Sequence, residues 1–177
     1  MEKSIFFEYV LESGSKVIVS KDDEKLDDPR DIMRGGQIIW FLEMDEDTSS
    51  YEKEVFNDIS KNDEYIVLPL YYTEKGIYTK EKFLSAFSGY YSISKNEVYD
   101  LYNTKEINDE VIDELMISIY DDINLFEKYV TDEVYQYTVL DENNDIIDQC
   151  GSFFDLDSCI QEGKRVLDEC SYSSEFK

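Results

Sequence analysis

Residues 107–130 read INDEVIDELMISIYDDINLFEKYV and form the most regular stretch of the chain. When residues are placed about 100° apart, as in an α-helix, the apolar and acidic side chains fall on opposite sides. The apolar side consists of Val111, Ile112, Leu115, Met116, Ile119, Ile123 and Phe126. The acidic side consists of Glu106, Asp109, Glu110, Asp113, Glu114, Asp121 and Glu127. The stretch therefore predicts one long helix with a buried apolar stripe and an exposed carboxylate stripe.

Two predicted hairpins lie far to either side of this helix in the sequence. Residues 5–11 and 16–20 are rich in β-branched and aromatic side chains and flank a turn that contains Gly14. Residues 134–140 and 146–150 flank a run of turn-forming Asp and Asn residues. Both patterns are typical of antiparallel strand pairs.

Three further strands are predicted between the hairpins. Residues 37–44 are nearly all apolar, which is typical of a central strand covered on both faces. Residues 64–72 form a second apolar run, in which Pro69 indicates an edge or a bulge because proline cannot donate to a ladder. Residues 89–94 alternate as a short strand.

Capping signals predict shorter helices among these strands. Ser94 and Glu97 have the spacing of a capping box. In this motif the side chain of each residue accepts a hydrogen bond from the backbone N–H of the other. Three helices are predicted in this way or from apolar spacing: one after the polar residues 47–50, one at 96–102 and one at 156–170. Together the patterns predict an α+β fold, with a mostly antiparallel sheet of about five to six strands and about three to four helices. We expect one domain over residues 1–177, or at most two tightly joined halves.

The chain is strongly acidic and also rich in apolar and aromatic residues. It carries 42 Asp and Glu against 17 Lys and Arg, a formal net charge of -25, with 42% hydrophobic and 15% aromatic residues. This combination indicates a folded body with a negative exterior rather than a disordered acidic tail. Residues 91–177 hold 22 of the acids and only 6 bases. Direct binding to DNA or RNA is excluded in this interpretation, because phosphate contacts require Lys and Arg.

Several kinds of chemistry lack the residues they need. The chain has no histidine, which removes the commonest general base and metal ligand. Cys150, Cys159 and Cys170 have no CxxC spacing, and we interpret them as reduced thiols, two of them facing the core. The run Asp141 to Asp145 begins like a calcium loop but has Ile146 where that loop requires glycine. We predict neither an enzyme nor a cofactor or metal site.

The start of the chain lacks the pattern of a secretory signal. Met1 to Ile5 has neither a basic region nor a long apolar run, and no apolar stretch approaches the ~20 residues that a membrane helix needs. We therefore expect a cytoplasmic protein.

Five short strings occur in a recognisable order along the chain. They are DPR at 28–30, LPLYY at 68–72, YSISKNEV at 91–98, the segment 129–139 and CGSFF at 150–154. In this order they resemble a family of short, functionally uncharacterised acidic proteins from phages and mobile elements of Gram-positive bacteria. Family members typically carry His-Ser-Gly and Trp-Asp-Ser-Gly segments, whereas 73–76 and 83–89 here contain neither His nor Trp. The resemblance implies a context in which inhibitors of restriction and CRISPR systems are frequent, and the bacterial host cytoplasm as the place of action.

From charge and resemblance together we predict a phage-type anti-defence inhibitor, in the first place an anti-CRISPR. It would act as a nucleic-acid mimic on the basic channel of a nuclease complex such as a CRISPR effector or a restriction enzyme. We expect no direct contact with nucleic acid or membrane, and a homodimer is left open. The predicted partner-binding residues are Asp109, Glu110, Asp113, Glu114 and Asp121 on the long helix, with Asp132, Glu133, Asp141, Glu142 and Asp145 after it. A second group is Asp45, Glu46 and Asp47.

Two other functions stay open on the sequence alone. The first is a phage accessory or structural protein that binds through aromatic surface, its acids serving solubility. The second is a carboxylate- or metal-dependent hydrolase, since some of 42 acids will lie in pairs.

Overall fold

The computed structural model describes residues 4–24, 28–73, 75–80 and 86–174, and for residues 172–174 it describes the backbone. Within these residues the fold is α+β, with four α-helices and eight strands in two antiparallel sheets of four strands each. The predicted class and helix number are confirmed. The number of strands is larger than the predicted five to six, and the strands form two sheets rather than one. The pattern of apolar residues along a strand does not reveal which strands pair with each other.

The strands are β1 (Ile5–Val10), β2 (Lys16–Lys21), β3 (Gln37–Trp40), β4 (Tyr65–Thr73), β5 (Gly76–Tyr78), β6 (Ala86–Ser94), β7 (Tyr135–Leu140) and β8 (Ile146–Phe153). The helices are α1 (Glu46–Ile59), α2 (Lys95–Leu101), α3 (Asp109–Val130) and α4 (Leu156–Ser174). Two 3-10 turns, Pro29–Asp31 and Phe41–Glu43, complete the described elements. Residues 81–85, which include part of the family segment at 83–89, lie outside the described residues.

The chain forms two compact units. Unit 1 comprises Met1–Asp28 and Lys128–Lys177, and unit 2 comprises Pro29–Glu127. The expectation of a single domain over residues 1–177 stays a prediction.

Unit 1 is a four-stranded sheet covered by a helix. The strand order is β1-β2-β7-β8, all antiparallel, and α4 packs on the sheet. The core consists of Val17, Val19, Tyr137, Val139, Cys159 and Leu167. Gly163 lets α4 approach closely, since a Cβ there would lie 2.7 Å from Val17 Cγ2. Both predicted hairpins are therefore confirmed, and they belong to one sheet.

A buried carboxylate ties the end of β2 to β8 within unit 1. Asp22 is 3% exposed, and its Oδ2 accepts a 2.8 Å hydrogen bond from the backbone N–H of Ser152. Its Oδ1 accepts from the N–H of Glu24 at 3.2 Å. A Cβ on Gly151 would lie 2.3 Å from Asp22 Oδ2, so the contact depends on glycine at that position. The sequence gives no local sign of this contact, because its partners are 130 residues apart.

Unit 2 is a second four-stranded sheet with the order β3-β6-β4-β5. The interior strand β6 contributes Tyr90, Tyr91 and Ile93, each 1% exposed. Trp40 packs edge-on against Phe126 of α3, with 5.3 Å between the ring centroids. The predicted apolar stripe of α3 is confirmed, since Leu115, Ile119, Ile123 and Phe126 are all buried.

The strand predicted at 37–44 is present from Gln37, but its predicted length and central position are wrong. The strand ends at Trp40, pairs with β6 alone among the described strands and is followed by the 3-10 turn Phe41–Glu43. Phe41 is buried, but Leu42 is 61% exposed. A short apolar run does not distinguish a buried strand from a strand followed by a partly buried turn.

The prediction of an edge or a bulge at Pro69 is confirmed as a bulge. Pro69 pairs with Tyr90 of β6, and the register shift that marks a bulge follows directly between Leu70 and Tyr71. The strand β5 pairs only with the later part of β4, from Tyr71 onward, so on that side Pro69 has no ladder partner among the described strands. Within the described residues, no helix combines the length and the apolar character needed to cross a membrane.

Candidate functional site

The exposed face of α3 is the candidate site. Its members, here called the α3 face, are Asp109, Glu110, Asp113, Glu114, Ile117, Tyr120, Asp121 and Asn124, all of which are exposed. At about 100° per residue they fall within an arc of about 140° on the helix. All five acids that the sequence predicted for this helix therefore lie together.

The five α3 acids are not neutralised by a neighbour. Neither an ion pair nor a hydrogen bond joins the side chain of any of them to another residue in the described part of the chain. Neighbouring side chains at i, i+3 and i+4 are about 5–6 Å apart on a helix, so the face carries closely spaced like charges. These charges are free to act on a partner.

Local contacts and packing stabilise the helix against this repulsion. The side chain of Asn108 accepts from the N–H of Val111 at 3.0 Å, which caps the first turn. Asp109 and Glu110 lie in that turn, where the helix dipole favours negative charge. Each fully buried apolar side chain contributes about 1.5–3 kcal/mol, whereas a like-charge pair costs a few tenths of a kcal/mol. The buried stripe therefore outweighs the repulsion.

Two large apolar side chains lie inside the acidic face. Ile117 is 64% exposed and Tyr120 is 49% exposed, one helical turn apart. Asp113 and Asp121 are each one turn from Ile117, on either side of it along the helix. Sequence reasoning missed this pair, although the helical projection already placed both residues on the acidic side.

The acidic field also acts on groups at the border of the face. Burial, reinforced by the charge of Asp121, raises the pKa of Asp122. Burial, reinforced by Glu114, raises the pKa of Tyr102. Both shifts are in the direction that favours the less negative form, as expected beside concentrated negative charge.

The assignment of Glu127 to the exposed acidic side is wrong. Its carboxylate is half-buried in unit 2, and Oε2 accepts a 2.6 Å hydrogen bond from the N–H of Ile77 on β5. Gly76, with φ of +126°, makes room for it, since a Cβ there would lie 2.7 Å from both carboxylate oxygens. Glu127 therefore satisfies a backbone donor of the short strand β5.

The other predicted acids after the helix belong to unit 1, and two of them have structural roles. Asp132 adopts a φ of +63° and forms a 3.3 Å ion pair with Lys21. Asp141 accepts from the N–H groups of Asn143 and Asp145, both at 2.8 Å, and these bonds lower its pKa. Glu133, Glu142 and Asp145 are exposed.

The second predicted group begins helix α1. Asp45 is the N-cap, and its carboxylate accepts from the N–H of Thr48 at 2.8 Å and from the Thr48 hydroxyl at 3.0 Å. These bonds lower the pKa of Asp45. Glu46 and Asp47 lie in the first turn, where the helix dipole favours acids. Helix capping accounts for this cluster without a partner.

The three cysteines differ in their exposure to solvent. Cys159 is fully buried, and burial, followed by the neighbouring Cys150 and Asp22, raises the pKa of its thiol to about 12. Cys170 is half-buried and Cys150 is exposed, so the expectation of two core-facing thiols holds fully for Cys159 alone. No group of three or more Cys, Asp or Glu in the described ranges is arranged to hold a metal ion.

Comparison of the chain with family models, curated proteins and solved structures gave no match. The resemblance to phage and mobile-element proteins stays a prediction. The α3 face and the charge of the chain are therefore the features that bear on function.

Proposed function

We propose that this protein is an anti-defence inhibitor of the phage type, specifically an anti-CRISPR, that binds the basic nucleic-acid channel of a nuclease complex. The α3 face acts as a mimic of a phosphate backbone, and no catalysis is required. The observation that carries the proposal is the set of five exposed α3 acids without a neutralising partner among the described residues.

The spacing of the charges supports this assignment. Asp109 and Asp121 are separated by about 18 Å along the helix at 1.5 Å per residue. Five carboxylates over that length amount to about one charge per 3.6 Å, against one per ~1.7 Å in duplex DNA. The face is sparser than DNA by about a factor of two, which is dense enough to occupy a groove lined by Lys and Arg.

The net charge supports rapid binding to such a groove. A chain with a net charge of -25 is attracted over long range to a positive channel, and this steering accelerates association. Screening by salt weakens the effect once the Debye length falls below about 10 Å. We therefore expect inhibition to weaken as ionic strength rises.

Charge reversal on the helix tests the proposal. The substitutions Asp113→Lys, Glu114→Lys and Asp121→Lys, made together, should weaken inhibition of DNA binding by a host nuclease complex at least about a hundredfold. Three buried charge pairs of on the order of 1 kcal/mol each would produce a loss of that size. The measurement is displacement of labelled target DNA from CRISPR effectors and restriction enzymes, across a range of salt.

A matched control separates the face from the net charge. Asp58→Lys, Asp63→Lys and Glu64→Lys reverse three exposed acids elsewhere in unit 2 and change the net charge equally. We expect this control to retain inhibition within about tenfold. Equal losses in both triple variants, or no loss in the α3 variant, would contradict the proposal.

The exposed pair Ile117 and Tyr120 favours a second candidate function. An interaction protein would use these two apolar side chains as the centre of its interface, with the acids serving solubility and steering. Ile117→Ser with Tyr120→Ala removes apolar contact without changing the charge. If the protein binds through the apolar pair, this variant loses binding and the triple charge reversal retains it. If the protein mimics nucleic acid, the triple charge reversal weakens binding more than this variant does.

A further inference from the structure

Unit 1 contains a cavity that the proposed function does not use. Its volume is about 610 Å³, and it is bounded by the β1–β2 turn, the β7–β8 turn and the C-terminal half of α4. Ligand sites commonly have volumes of about 300–1,000 Å³, so this one accommodates more than a single side chain.

Part of the cavity lining is apolar. Its apolar residues are Leu11, which follows β1, Ile147 of β8 and Leu167 of α4. Leu167 belongs to the core of unit 1 and is 0% exposed, whereas Ile147 is 45% exposed. An apolar stem that covered Ile147 would remove that surface from water, which is favourable.

The rim of the cavity is acidic. Glu12, Asp141 and Glu142 line it, and no Lys or Arg is among the described lining residues. Neither Glu12 nor Glu142 forms an ion pair or side-chain hydrogen bond within the described part of the chain. The two turns that carry these acids are in contact, since a Cβ on Gly14 would lie 3.5 Å from Glu142 Cβ. Acids from two neighbouring turns therefore line the same cavity as the apolar side chains.

We propose that this cavity binds an arginine side chain presented by a basic segment of a protein partner. The three-carbon stem lies on Leu11 and Ile147, and the guanidinium reaches the carboxylates of Glu12 and Glu142. Arginine fits better than lysine because its planar group bonds carboxylates in pairs and is less strongly hydrated. The inference goes beyond the α3 face and does not depend on it.

Charge complementarity decides the occupant. An apolar ligand would leave the rim carboxylates without partners, and an acidic ligand would be repelled by them. A peptide segment is favoured over a free small cation because the volume accommodates residues that flank the arginine. Long cationic side chains commonly bury their stems in this way and keep the charge at the rim.

A thiol in the cavity provides a site-specific probe. Cys170 lines the cavity and is half-buried, Cys159 is fully buried, and Cys150 is exposed outside the lining. In a Cys150→Ser background, Cys170 is the thiol open to alkylation by iodoacetamide, and mass spectrometry assigns the modified residue. A ligand in the cavity covers Cys170 and slows its alkylation.

The probe ligand is a short, end-blocked peptide with one arginine between glycines. Its control has citrulline, the neutral isostere, in place of arginine. At about ten times its Kd the arginine peptide should slow alkylation of Cys170 about tenfold, because only unliganded protein reacts. The citrulline peptide should leave the rate unchanged. Calorimetric titration of the wild-type chain with the arginine peptide gives the Kd independently.

Variants of the rim complete the test. Glu12→Gln with Glu142→Gln should weaken binding of the arginine peptide at least about tenfold, since two charge-assisted bonds are lost. Asp141 is left unchanged because it holds its turn together. The matched control, Glu24→Gln with Glu133→Gln, removes two exposed acids of unit 1 outside the cavity and should change the Kd less than threefold.

Three results would overturn the inference: no heat and no protection with the arginine peptide, equal protection by the citrulline peptide, or equal weakening in both double variants. The three positions of the α3 reversal belong to unit 2, whereas all the residues that line the cavity belong to unit 1. Failure of the peptide test therefore leaves the proposed function intact, and failure of the α3 test leaves the cavity assignment intact.

Discussion

Gly89 lies in β6 where the strand pairs with both β3 and β4. A Cβ at this position would lie 2.2 Å from the carbonyl oxygen of Ile39 and 3.0 Å from Trp40 Cε3. Backbone of a neighbouring strand cannot yield without disturbing the ladder, so the contact requires glycine. Gly89 therefore allows β3 to approach β6 closely and leaves room for the Trp40 ring beside it.

We predict that Gly89→Ala destabilises the protein by about 1–3 kcal/mol or more, as overpacking of a core does. Gly35→Ala is the matched control, because a Cβ there meets only Ile93 Cδ1 at 3.4 Å and Leu101 Cδ2 at 3.6 Å. The control should stay within about 1 kcal/mol of wild type. Urea unfolding midpoints measure both, and equal midpoints for the two variants would show that the close contact at Gly89 is relieved at little cost.

At the scale of single residues, sequence reasoning succeeded where the signal is local. The exposed α3 acids follow from helical spacing alone. The burial of Asp22 and the bond from Glu127 to Ile77 depend on residues brought together by tertiary structure, 130 and 50 positions apart. Nothing in the neighbourhood of either acid in the sequence distinguishes it from an exposed one.

The capping box of α2 illustrates how one element is stabilised at its start. The N–H and hydroxyl of Ser94 donate to Glu97 Oε2 at 2.8 Å and 2.6 Å, and the N–H of Glu97 donates to Ser94 Oγ at 3.2 Å. The bonds from Ser94 lower the pKa of Glu97 below its ordinary value of 4.5. The ionised form of Glu97 is therefore the form that the folded state prefers.

We predict that Ser94→Ala destabilises the protein by about 1 kcal/mol. The contribution of Glu97 is fully present above about pH 4.5 and is lost as pH falls through its lowered folded pKa, because the unfolded chain then binds the proton more readily. Urea unfolding of wild type and Glu97→Gln at a series of pH values measures it. The difference between them should shrink below pH 4.5, and a constant difference would refute the assignment.

Elements were predictable where a cap or a periodic pattern marks them. Helices α2 and α3 and both hairpins lie within a few residues of their predicted positions. The division into two sheets was not predictable, because it is set by pairs such as Ser20 with Gln136. Of the candidate site, the α3 acids were predicted, while the unit 1 cavity, built from three distant segments, was not.

The charge of the whole molecule opposes its own folding. Two like charges about 10 Å apart in water repel each other by about 0.4 kcal/mol, and a chain with a net charge of -25 contains many such pairs. The compact state brings them closer than the unfolded chain does. Resistance to this repulsion must come from the cores of the two units.

We predict that raising NaCl from roughly 0.01 M to roughly 1 M increases the free energy of unfolding by a few kcal/mol. The Debye length falls from about 30 Å to about 3 Å over that range, which screens the repulsion. Urea midpoints at each salt concentration measure the effect. NaCl is preferred to sulfate, which stabilises proteins for other reasons. A midpoint that stays constant or falls with NaCl would show that the acids are already compensated.

The order of the elements along the chain bears on how the protein is made. Lys21 at the end of β2 pairs with Tyr135 at the start of β7, and the N–H of Asp22 donates to the carbonyl of Val134 at 2.8 Å. All of unit 2 is synthesised between these two neighbours. At about 5–20 residues per second the ribosome needs roughly 6–20 s for that segment. During this interval one edge of β2 lacks its strand partner β7. An unpaired strand edge can pair with other chains, so the risk of wrong strand pairing is greatest before β7 emerges.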